Sequence, residues 1–176
     1  MKKLLSITLT TLLVLFASQA FGQTDVNVSV DANVLDQLTI DVTSNIDLGD
    51  ISQGDDAVLN PLGGSLTNSN VGSSSTLGEI TLSDFEDENE LNIEWTNGTL
   101  NRSGEDDDLT FTPAVTWDQG GAENHTEISS NDNITADGTD AITLSIGGTL
   151  DEPSETGNYS TDNGSPIVFT IENTSI

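Results

Sequence analysis

The chain has 176 residues, no cysteine, and thirty Asp and Glu against three Lys and Arg, a formal charge of −27. With no basic stripe to meet phosphates, most nucleic-acid roles are excluded. The absent cysteines exclude a disulfide framework.

The first element is a leader. Lys2 and Lys3 form a positive start, residues 4–16 are apolar apart from Ser6, Thr8, Thr10 and Thr11, and Ala17-Ser18-Gln19-Ala20 or Ala20-Phe21-Gly22 supplies small residues for cleavage. This pattern predicts a signal peptide over residues 1–22 and one mature domain over residues 23–176. The apolar run is short for a hydrocarbon core of ~30 Å, and with no Cys after it a lipid anchor is excluded. The location expected is secreted, periplasmic or on the surface of a bacterium. Without Lys2 and Lys3, Arg102 alone faces thirty acids, a formal charge of about −29, whereas ordinary soluble domains carry a magnitude of roughly 2–8. Such a surface repels itself. Salt relieves the repulsion as the Debye length falls to ~3 Å at 1 M, so the composition predicts adaptation to a saline medium.

From there on the apolar period is two. Val26, Val28, Val30, Ala32 and Val34 alternate with Asn27, Ser29, Asp31 and Asn33, and Leu38, Ile40 and Val42 continue the phase. Further strands are expected around Ile80 and Leu82; Leu91, Ile93 and Trp95; Leu109 and Phe111; Val115 and Trp117; Ile142, Leu144 and Ile146; and Ile167, Phe169 and Ile171. Each run presents one apolar face, as a half-buried strand does. Residues 120–140 are polar, with one strand expected near Ile128. Turn chemistry breaks the runs at Gly63-Gly64, Asn97-Gly98, Gly120-Gly121, Asp137-Gly138, Gly147-Gly148 and Asn163-Gly164, because tight turns need positive φ. Residues 91–95 and 99–100 around Asn97-Gly98 read as a hairpin. Many short strands and no helical stripe predict an all-β fold, an antiparallel sandwich of immunoglobulin-like type.

Short motifs carry a resemblance. The stretch Ala32-Asn33-Val34-Leu35-Asp36-Gln37-Leu38-Thr39-Ile40 precedes Ile46-Asp47-Leu48-Gly49-Asp50-Ile51. Later come Ile146-Gly147-Gly148-Thr149-Leu150, then Gly157-Asn158-Tyr159-Ser160, then the terminal strand. Residues 30–172 thereby resemble the secreted bacterial domain-of-unknown-function family 4402. Gln37 stands where that family often has Pro, Leu48-Gly49 lacks its intervening aromatic, and residues 161–166 lengthen its last turn. The resemblance implies an immunoglobulin-like sandwich, distantly similar to spore-coat-U-type and other chaperone–usher pilins. It implies no catalytic residues.

Catalysis finds little support in the residues. His125 is the only histidine and reads as an exposed loop side chain; no Cys or second His could join it on zinc. No Gly-x-Ser-x-Gly occurs, and paired carboxylates arise by chance among thirty acids. The protein is therefore read as a non-enzyme with no resident cofactor. Calcium is the one ion considered, because Asp84, Glu86, Asp87, Glu88 and Glu90 crowd one loop and residues 105–108 another, and hard oxygen ligands suit it. Neither loop has a dedicated calcium spacing, and a solvated acidic face explains both. Trp95, Trp117 and Tyr159 would suit a sugar platform, but the two Trp share the phase of core residues. Asn-x-Ser/Thr sequons follow from composition, and no glycosylation is read from them. Val26, Val28, Val30, Ala32 and Val34 form a candidate donor strand, either paired within their own sandwich or added to another subunit. The expected function is an exported structural or cell-surface protein, pilus- or fimbria-like, with itself or other surface subunits as partners. The alternative is a secreted calcium- or glycan-binding module.

Overall fold

The computed structural model describes residues 38–105, 108–121 and 125–175, which belong to one compact unit, Leu35–Ile176. Among the described residues there are eleven strands: β1 Thr39–Ser44, β2 Ala57–Leu59, β3 Gly78–Ser83, β4 Glu90–Trp95, β5 Gly98–Arg102, β6 Leu109–Gln119, β7 Thr126–Ile128, β8 Asp132–Thr135, β9 Ile142–Leu150, β10 Tyr159–Ser165 and β11 Phe169–Asn173. All pairings are antiparallel and no helix occurs among the described residues, so the expected all-β antiparallel sandwich is what forms.

β6 and β9 are its spine. They pair continuously from Phe111 opposite Leu150 to Gln119 opposite Ile142. Along the upper half of this spine, β3 and then β1 add beside β9, and β7 adds beside β6. Along the lower half, β2 adds beside β9, and β5 and then β10 add beside β6. A smaller sheet, ordered β11-β4-β8, faces the upper half. Pro113 explains part of this division. It lies on β6 between the β5 pairing, which ends at Phe111, and the β7 pairing, which starts at Val115. Proline is tolerated in sheets where an edge is free.

Alternation puts one face of each strand inside. β6 buries Leu109, Phe111 and Val115, and β9 buries Ile142, Leu144 and Ile146. The upper core joins these upper residues to Ile80, Leu82, Leu91, Ile93 and Ile134, with Trp95, Trp117, Phe169 and Ile171 packed at its margin. The lower core is Leu48, Ala57, Leu59, Leu109, Phe111 and Leu150. Each fully buried side chain of this size is worth roughly 1.5–3 kcal/mol.

Three glycine pairs expected as turns are not turns. Asn97-Gly98 joins β4 in the smaller sheet to β5 in the larger, so the expected hairpin does not form. Neither residue has positive φ. Gly98 is needed for close approach instead, since a Cβ there would lie 3.0 Å from Ile167 Cγ1 and 3.3 Å from the Ser165 carbonyl oxygen. Asn163-Gly164 lies inside β10, so residues 161–165 form a strand where a lengthened turn was expected. Gly147-Gly148 lies inside β9, where a Cβ on Gly147 would meet the Leu59 carbonyl oxygen at 2.1 Å. The sequence pattern also omits β2 and β8, which are too short to show a period.

Candidate functional site

The main feature is a seam. The chain runs down through β1 into residues 46–51, and later runs up through β10 into β11. Among the described residues, the outer edges of β1, β10 and β11 have no strand partner. At the lower end residues of both runs line one cavity of about 600 Å³. The first run contributes residues 46–51 to its lining, and the second contributes residues 157–161 and Ile167. Leu100, Phe111 and Leu150 contribute the apolar floor, while Asp47, Asp50, Ser74 and Ser160 add polar groups to the lining. Tyr159 is held in this lining: its hydroxyl donates to the Glu155 carbonyl at 3.1 Å, and the Arg102 guanidinium carbon sits 5.8 Å from its ring centroid.

At the upper end β1 carries exposed apolar surface. Ile40 is opposite Leu82 and Val42 is opposite Ile80, so the four share the core-facing side of the larger sheet. Leu82 is fully buried, yet Ile40 keeps 47% of its surface and Val42 61%. Large apolar side chains pointing to the inner face but uncovered mark an interaction surface more often than isolated exposed residues do.

The acidic loop before β4 is stitched to the loop after β8. Glu88 N donates to the Ala136 carbonyl at 3.1 Å, and Ala136 N donates to the Asn89 carbonyl at 2.9 Å. Asp87 Oδ1 accepts from Gly138 N at 2.6 Å, and Glu90 Oε1 accepts from Asn133 Nδ2 at 3.0 Å. Asp84 and Glu88 take positive φ, and Phe85 plugs the upper core. Asp84, Glu86, Asp87, Glu88 and Glu90 thus sit on one short segment, with at least two of their carboxylates engaged by protein donors. Among the described residues, no three His, Cys, Asp or Glu side chains converge in a way that could hold a metal ion.

His125 is not an exposed loop side chain. Its side chain is only 15% exposed, and its Nδ1 lies 2.9 Å from Asp118 Oδ2, although the two are not aligned as a hydrogen bond. The imidazole rests on Gly63, where a Cβ would come within 2.4 Å of His125 Cβ. Nearby, the Glu127 carboxylate accepts from the Ser65 side chain and backbone N–H, which hold it below its usual pKa. Thr116 Oγ1 donates to the Leu62 carbonyl at 2.7 Å, and Leu62 N donates to Ser145 Oγ at 3.1 Å. These contacts clamp residues 60–65 onto the outer face of the larger sheet.

The three aromatics do not form one platform. Trp95 and Trp117 pack at the upper core, with Trp95 5.7 Å from Phe169 between ring centroids, whereas Tyr159 lines the lower cavity. The candidate donor strand, Val26, Val28, Val30, Ala32 and Val34, lies outside the described residues. No helix among the described residues is long and apolar enough to cross a membrane. The seam itself was not legible in sequence: β10 reads Tyr-Ser-Thr-Asp-Asn-Gly-Ser, without apolar alternation, so the segment that lines the cavity with residues 46–51 gave no strand signal. No family model, curated protein or solved structure matches the chain.

Proposed function

We propose that this protein is an exported, non-catalytic structural subunit of a bacterial surface or its surroundings, pilus- or fimbria-like, that works in a saline medium and associates with its own copies or other surface subunits. The single observation that carries this reading is that, among the described residues, β1, β10 and β11 have free edges and β1 leaves Ile40 and Val42 uncovered. A domain with this surface gains stability from a partner that supplies strand hydrogen bonds and apolar side chains. The high negative charge fits the same role, since it keeps copies apart until salt screens them. The likeness to family 4402 and, through it, to pilins points the same way.

A calcium- or glycan-binding module has less support. The acidic side chains of residues 84–90 are spread along a hydrogen-bonded loop, and the aromatic rings are split between two cores. Light scattering of the mature chain across salt, with calcium added or chelated, separates the readings. Assemblies that form in salt and ignore calcium are the expected result. A change in size specific to calcium would favour the binding module, and a monomer under every condition would contradict the proposal.

A further inference from the structure

We propose that the lower cavity is a binding site for a small organic cation, an ammonium group carried on a short apolar body. The assembly reading neither requires this site nor depends on it.

The cavity has the size and the two-part chemistry that such a ligand needs. Its volume of about 600 Å³ lies within the roughly 300–1,000 Å³ of small-molecule sites. Phe111 and Leu150 close its floor and are themselves buried. Ile51, Leu100 and Ile167 also line it and are only half-buried, so part of their apolar surface remains uncovered. Asp47 and Asp50 are exposed and bring two carboxylates to the same lining. Among the described residues, no Lys, Arg or His lines the cavity.

The acids are held in place by the backbone. Asp47 N donates to the Thr76 carbonyl at 3.0 Å, and Thr76 N donates to the Asp47 carbonyl at 2.8 Å. Gly72 N donates to the Leu48 carbonyl at 2.8 Å. Asp47 Oδ1 accepts from Gly49 N at 2.8 Å, and Gly49 turns the chain between the two acids with a positive φ. In the second run, Tyr159 pairs with Arg102 and Ser160 with Asn101. A site fixed by such pairing is preformed and loses little order when a ligand enters.

This lining discriminates between ligands. A bare metal ion would leave the apolar side chains unused, and among the described residues no three His, Cys, Asp or Glu converge to hold one. An anion would meet two carboxylates within a chain of formal charge −27. A neutral ligand would desolvate the carboxylates without pairing them, which costs free energy. An ammonium ion on an apolar body satisfies both parts, with its body against Ile51, Leu100 and Ile167 and its charge at Asp47 and Asp50. The negative field of the whole molecule raises the local concentration of cations at the cavity.

Hexyltrimethylammonium is the probe, with hexanol and hexanoate as its neutral and anionic counterparts. Each is titrated into residues 23–176 in ~0.15 M salt, where the Debye length is ~8 Å, and amide shifts are followed by nuclear magnetic resonance. The cation should bind saturably and move the amides of Gly49, Asp50 and Ser160. Hexanol should bind at least about fivefold more weakly, the worth of one charge pair ~4 Å apart in water, and hexanoate more weakly still. Asp47→Asn and Asp50→Asn should each weaken the cation by a similar factor and leave hexanol unchanged. If Asp47→Asn disturbs its turn and unfolds the chain, Asp50→Asn carries the comparison alone. Equal binding of the cation and hexanol, or cation binding that ignores both variants, would overturn the proposal. Shifts confined to residues 84–90 would show a general attraction of cations to acidic surface and would overturn it as well. No saturable shift at the cavity would overturn it and leave the assembly reading standing.

Discussion

β9 and β1 carry the same pattern with opposite outcomes. Both belong to the larger sheet, and both turn alternate aliphatic residues to its inner face, Ile40 and Val42 in β1 and Ile142, Leu144 and Ile146 in β9. In β9, Ile142 and Leu144 are completely buried, because β3 and β6 flank them and the smaller sheet lies above. In β1, Ile40 and Val42 face the same way and stay 47% and 61% exposed. The difference lies in the neighbours and not in the residues: among the described residues, β9 is central, while β1 is flanked on one side only. Alternation therefore specifies which face of a strand is apolar. Whether that face is covered is decided by topology, and the uncovered places are where a partner would add most.

The comparison breaks first under truncation. Leu144→Ala should cost about 2–5 kcal/mol, the usual range for emptying a buried leucine site. Val42→Ser should shift monomer stability by no more than about 0.5 kcal/mol, as an exposed substitution does, yet weaken assembly. Urea unfolding of the two monomers checks the first contrast, and light scattering checks the second. Equal losses of stability would mean that β1 is already covered.

Gly147→Ala sharpens the same contrast through the backbone. A methyl group at that position collides with the Leu59 carbonyl, where residues 59–61 cross the spine, and overpacking of this kind costs about 1–3 kcal/mol. Gly104→Ala, with nothing within 4 Å of its Cβ, meets only the strain of its positive φ and should cost less. Thermal melts of both variants would show the order.

Salt acts on the whole surface and on the seam together. Between about 0.01 M and 1 M salt the Debye length falls from ~30 Å to ~3 Å. The melting temperature of the monomer should rise by several degrees, and assembly should appear only toward the high end. A melting temperature that stays flat or falls would contradict the role given to the charge.

The smallest effect concerns the closed side. Glu127 has its pKa lowered by Ser65, so its contribution is present above the usual glutamate range and is lost as pH falls through the lowered value. Wild type and Glu127→Gln should differ slightly in melting temperature near neutral pH and converge in acid. A difference that grows on acidification would reverse the assignment.

Much of this fold can be read from period two alone: β3, β4, β6 and β9 contain the alternating residues expected of them, and β11 contains Phe169 and Ile171 while Ile167 lies before it. β10 escapes because its side chains are polar and its register against β5 slips between Ser160 and Ser165. Asn97-Gly98 and Asn163-Gly164 mislead because the same glycine that permits a tight turn also permits close packing of backbones, and a single sequence does not separate the two uses. The seam is a relation between the first and last strands, about 120 residues apart from Tyr159 back to Thr39. No local pattern encodes it. His125 was misplaced for a similar reason: its burial comes from residues 60–65, remote in sequence, folding over the sheet.

Hydrogen exchange on residues 23–176, measured in a monomeric low-salt sample and an assembled high-salt sample, tests the central claim most directly. The account predicts that amides of β6 and β9 are slow in both samples, whereas those on the outer edges of β1 and β11 exchange fast in the monomer and become protected only on assembly. Outer-edge amides of β1 and β11 that are already protected in the monomer, or that stay fast in the assembly, would contradict an open seam filled by another copy.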